Sequence, residues 1–185
     1  MLHKGMSKSQ IEEVLREKGD FVKIDHLTKF LREELTLDMK KFVCLKLAQI
    51  YEKVGMFDNA ATMFHNVALV SIAYTEKIKH HLKEAQLYIK TRNFEKADEA
   101  MKKAMNQANA SQKAEIVFEI KRFYKRQAEV YESELKRNNA TKVYERLLQM
   151  NLSEQEKQEI KEKLLDLYEK LGRFKDVEML KRGME

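Results

Sequence analysis

The chain has 185 residues, with 36 Lys and Arg against 30 Asp and Glu, a formal net charge of +6 and no proline. One cysteine, Cys44, excludes an intramolecular disulfide framework and fits a reducing compartment. With 36% charged and 43% hydrophobic residues and only five glycines, the composition excludes a disordered tail and all but excludes a sheet protein.

Periodicity predicts helices near 7–18, 20–35, 37–54, 57–73, 75–91, 94–109, 112–136, 139–150, 154–171 and 174–183. The first two hold Leu15, Gly19-Asp20-Phe21 and Ile24, a degenerate copy of a pattern that then recurs. The next pair carries Leu47-Ala48, Tyr51, Gly55-Met56-Phe57, Ala60 and Phe64. The third carries Ala85, Tyr88, Arg92-Asn93-Phe94, Ala97, Met101 and Ala104. In the fourth, Ala128, Tyr131, Ala140 and Tyr144 keep the register, and the turn is read at Arg137-Asn138-Asn139. Ser111 is the expected N-cap of its first helix, which six extra residues lengthen by about one and a half turns. The fifth opens on a capping box, Ser153 with Glu156, and holds Leu164, Tyr168, Gly172-Arg173-Phe174 and Val177.

The tyrosines are spaced by 37, 43 and 37 residues, and a small or branched residue follows each by nine. Each marker has a physical task. Glycine, or less readily Asn, supplies the positive φ that ends a helix. Small side chains let the paired helices approach, and the turn aromatic is expected to fill the gap between them.

The string Leu47-Ala48, Tyr51, Gly55, Phe57, Ala60, Phe64 resembles a tetratricopeptide repeat. The resemblance implies an all-α, right-handed superhelical stack of antiparallel helix pairs. It is expected to form a single domain over residues 1–185, with units of about 5–40, 41–77, 78–110, 111–152 and 153–185. The proline that usually closes a unit of this family is absent.

No phosphate loop, nucleophile elbow or zinc-protease motif occurs, so neither enzyme activity nor a cofactor is expected. None of the five histidines has a partner at a convincing metal spacing. His80 and His81 read as surface residues on different helix faces, and Cys44 as a core thiol. No apolar run approaches the about 20 residues that span a bilayer, and residues 1–8 lack a secretory apolar stretch, so a cytoplasmic location without membrane contact is expected.

Charge is unevenly placed. Residues 77–126 carry 13 basic and six acidic side chains, which accounts for the whole surplus. By the family resemblance, the first helix of each pair lines a concave groove. It would present Lys46 and Gln49, then Lys79, Lys83 and Gln86, then Arg122, Lys125 and Arg126. A non-enzymatic adaptor that receives a protein segment, acidic in character, is the leading expectation. Nucleic-acid binding through 77–126 is the alternative. It is disfavoured because Tyr88, Phe118, Phe123 and Tyr124 are read on or near the core stripe rather than free to stack on bases. The family's clamp for chaperone tails is not met, since Leu45, Gln49 and Lys83 occupy its positions. At the C-terminal end, Val177, Leu180 and Met184 form one apolar stripe. An uncovered surface holding Leu165 and Tyr168 is expected there, and with it weak self-association.

Overall fold

A computed structural model describes residues 2–183. Among the described residues the chain forms ten α-helices and no strand. They are α1 (Lys8–Leu15), α2 (Asp20–Phe30), α3 (Leu37–Lys53), α4 (Phe57–Val70) and α5 (Tyr74–Lys90). After them come α6 (Phe94–Asn106), α7 (Ala110–Ser133), α8 (Arg137–Leu148), α9 (Glu154–Lys170) and α10 (Phe174–Arg182). The chain divides into two compact units, one up to Ile116 and one from Val117. In the first, each helix from α2 to α6 packs on the next in chain order; in the second, α8 packs on α9 and α9 on α10. This is a helical-repeat architecture, as the spacing predicts.

One turn geometry recurs four times. The residue four after each marker tyrosine has a positive φ: Gly55 79°, Arg92 63°, Leu135 57° and Gly172 68°. The next residue donates its N–H back to the tyrosine carbonyl: Met56 to Tyr51, Asn93 to Tyr88, Lys136 to Tyr131 and Arg173 to Tyr168, all at 2.8–2.9 Å. The positive-φ residue itself donates to the carbonyl three before it, as in Gly55 to Glu52 and Leu135 to Glu132. These paired bonds satisfy carbonyls that a helix end otherwise leaves bare. The second helix of each pair then begins two residues later, at Phe57, Phe94, Arg137 and Phe174.

The third turn therefore lies at Leu135-Lys136-Arg137, not at Arg137-Asn138-Asn139. Sequence favours Asn for the left-handed conformation, but the hydrogen-bonded register places leucine there. Gly19 also departs from expectation. It is an extended N-cap at φ −65°, so the first pair lacks the shared turn. The cap of α7 is Asn109 rather than Ser111, because Asn109 and Gln112 exchange hydrogen bonds at 2.9 and 3.0 Å. α2 stops at Phe30, short of residue 35, because Thr36 adopts the extended N-cap conformation of α3 and accepts from the Met39 N–H.

The repeat markers form the core. Tyr51, Tyr88, Tyr131 and Tyr168 are buried, as are Ala60, Ala97, Ala140 and Val177 and the helix-facing Ala48, Ala85 and Ala128. Tyr168 therefore does not sit on an uncovered surface. Its hydroxyl donates to Glu145 on α8 at 2.9 Å, which turns the ring inward, and Leu165 is half-buried. Met184 lies outside the described residues. The turn aromatics behave unevenly. Phe57 is half-buried beneath the Lys90 ammonium, 4.0 Å from its ring centre, and Phe94 is half-buried, but Phe21 and Phe174 are exposed.

Candidate functional site

Positions on the first helices of the pairs follow from helical geometry. On α5, Ala85, Tyr88 and Ile89 face the core, which leaves Lys79, Lys83 and Gln86 on flanking or outer positions. Lys79 and Gln49 are exposed, and Lys46, Lys83 and Gln86 half-buried. In the second unit Arg122 and Arg126 are exposed and Lys125 half-buried.

The cations are laced to carboxylates about one repeat away. In the first unit Lys46 pairs with Glu12, Lys53 with Asp20 at 2.7 Å, Lys41 with Glu76 at 2.6 Å and Lys83 with Glu52 at 2.8 Å. In the second unit Lys121 pairs with Glu156 at 3.4 Å, Lys125 with Glu159 at 2.7 Å and Lys163 with Glu132 at 3.7 Å. Arg122 is held by Glu119 one turn away at 2.8 Å. The surface is a ladder of alternating charge rather than a uniformly cationic strip. Among the described residues, no carboxylate pairs with Lys79 or Arg126.

Each unit also has a cavity on these helices. In the first, about 350 Å³ is lined by Glu12, Asp20, Lys46, Gln49, Ile50 and Lys53 among others. In the second, about 170 Å³ is lined by Phe118, Arg122, Lys125, Leu147, Leu152 and Ile160 with their neighbours. Phe118 corrects the sequence reading: it is 61% exposed, not on the core stripe. Ile116 and Ile120 are buried on α7. Phe118 stands two residues from each, about 200° around the helix. The Arg122 guanidinium lies 6.0 Å from its ring centre.

The histidines also depart from the sequence expectation of surface residues. His80 and His81 are both buried, at 8% and 5% exposure, because α5 packs between α4 and α6 and little of its surface is left to solvent. His80 stacks on Phe64, with ring centres 6.0 Å apart, and burial holds its imidazole below the ordinary pKa. The His81 Nδ1 lies 2.8 Å from Glu84 Oε2, and the His65 Nδ1 of α4 approaches the same oxygen at 3.2 Å. The Lys103 ammonium of α6 stands 3.7 Å from Glu84 Oε1. Burial alone would raise the Glu84 carboxyl, but the hydrogen bond with His81 and the charges of His65 and Lys103 hold it below its usual value. Half of this cluster, His81-x-x-Glu84, is visible in sequence as an i, i+3 pair. His65 is not, because only the packing of α4 on α5 brings it there. Cys44 is a core thiol as expected, 3% exposed and pushed up by burial to about 11.

Residues 43–76 and 81–110 each match a tetratricopeptide repeat model. These two segments are tetratricopeptide repeats. The two matched segments take in the later part of α3 with α4 and the later part of α5 with α6, pairs that share the turn described above. Tetratricopeptide repeats generally mediate protein–protein interaction and are typically non-catalytic scaffolds. No curated protein matches the chain. Among the described residues, no helix is long and apolar enough to cross a membrane.

Proposed function

We propose that this protein is a non-enzymatic adaptor whose first helices receive a segment of a partner protein, with Lys46, Gln49, Lys79, Lys83 and Gln86 as contacts in the first unit. In the second unit Arg122, Lys125 and Arg126 serve the same purpose beside Phe118. The tetratricopeptide repeats carry this reading, and the ion-pair ladder adds chemistry to it. The pairs are half-exposed, and an exposed ion pair is worth about 0–1 kcal/mol. An incoming carboxylate can therefore replace an internal one at little cost, while Lys79 and Arg126 attract it from the start. The ladder also favours a peptide, whose acidic side chains can be spaced to meet separate cations, over a nucleic acid, whose continuous phosphates would run past Glu52, Glu156 and Glu159 as well.

The test is fluorescence anisotropy with a labelled, extended peptide of alternating leucine and glutamate, run beside a single-stranded oligonucleotide of similar charge. The peptide is expected to bind, and Lys79→Glu with Lys83→Glu should reduce its affinity at least about tenfold with helicity retained. Tighter binding of the oligonucleotide, or peptide binding indifferent to both reversals, contradicts the reading.

A further inference from the structure

We propose that His65, His81 and Glu84 form a binding site for a divalent transition metal of the zinc class, joining the two tetratricopeptide repeats. The three side chains offer two imidazole nitrogens and one carboxylate oxygen within 4.8 Å of one another. Two imidazoles and a carboxylate are a ligand set that zinc takes in three-ligand sites, with the fourth position open to water. Zinc bonds of about 2.0–2.1 Å in a tetrahedron put neighbouring ligand atoms about 3.3 Å apart. The carboxylate oxygen already lies 2.8 and 3.2 Å from the two nitrogens, close to that spacing, and all three ligand atoms stand within 4.8 Å of one another.

The surroundings favour the same assignment. His81 and Glu84 are buried on α5, one helical turn apart, and their rotamers are confined by packing against α4 and α6. His65 is half-buried, its side chain 27% exposed. It gives the ion an entry path and leaves an edge for a water ligand. In the metal-free protein both Nδ1 atoms donate to the single oxygen, so each carries its proton there. On metal binding each imidazole holds its proton on Nε2 instead and presents the Nδ1 lone pair. The Lys103 ammonium opposes a cation, but it touches the other carboxylate oxygen at 3.7 Å and its side chain is 40% exposed. It can turn to solvent as the ion enters. His65 belongs to the repeat at 43–76, and His81 and Glu84 to that at 81–110. A bound ion would therefore staple α4 to α5 and stabilise the repeat pair by mass action.

The experiment is equilibrium dialysis of the full chain against Zn2+, together with histidine side-chain NMR and Co2+ absorption. The expected result is one Zn2+ per chain at micromolar concentration or below, with shifts at His65 and His81 and not at His3 or His26. Co2+ should give the intense visible bands of a four-coordinate site. His65→Gln, at a half-exposed position, should fold normally and bind at least about tenfold more weakly. Absence of binding by the wild-type chain overturns the proposal, whatever the variants do. So does binding that survives His65→Gln, or shifts confined to His3 and His26.

Discussion

Leu135 shows most clearly what a single residue does here. It holds φ at 57° and is 73% exposed, so it bears the strain of a left-handed conformation and gains little packing in return. An L-residue there costs about 1–2 kcal/mol relative to the right-handed basin. Glycine removes that cost but loses more entropy on folding. Leu135→Gly is therefore expected to stabilise the protein by about 0.5–1 kcal/mol, read as a higher urea midpoint at unchanged slope. A lowered midpoint would mean that the leucine side chain contributes packing worth more than the strain. Cys44 gives a second prediction. Its thiol stays protonated in the fold until about pH 11, against 9.0 as the ordinary value. Between those limits the unfolded chain loses the proton while the native chain keeps it, so stability falls as pH rises through the window. Cys44→Ala should show a shallower loss of stability between pH 9 and 11 than the wild type. Identical pH slopes would contradict the burial of the thiol.

At the scale of the helix pair, the repeat was readable because its markers are packing residues. Tyr51, Tyr88, Tyr131 and Tyr168 and the small residues nine later are all core positions, and core positions leave a periodic trace in sequence. Backbone conformation leaves none once glycine is absent, which is why nothing in the sequence marks Leu135 and the Asn-rich string two residues later reads as the third turn. Phe118 and the His65 cluster were hidden for different reasons. An aromatic reads as core until its angle to Ile116 and Ile120 is fixed, and His65 meets Glu84 only through the packing of α4 on α5. The close approach of paired helices can be tested at Ala97, which is 2% exposed on α6. Ala97→Phe should destabilise the fold by about 1–3 kcal/mol through overpacking. An unchanged denaturation midpoint would show that α6 does not meet its neighbour at this residue.

Over the whole molecule, the surplus charge of residues 77–126 reads differently once the ion pairs are known. Lys83, Lys121 and Lys125 are tied to Glu52, Glu156 and Glu159, so the net charge overstates the field that a ligand meets. Under the proposed function, specificity would rest on which internal carboxylates a partner displaces, and on Phe118, Leu147 and Ile160, which line the cavity of the second unit. Binding governed this way should weaken with salt, but less steeply than release of many phosphate counterions would require. The most direct measurement is a backbone amide NMR titration of the full chain with the leucine–glutamate peptide. The account predicts saturable shifts clustered on Gln49, Lys79, Lys83 and Gln86 and on Phe118, Arg122 and Arg126, all on first helices. Shifts confined to the second helices α4, α6, α8 and α10, or no shifts at peptide concentrations that saturate anisotropy, would contradict it.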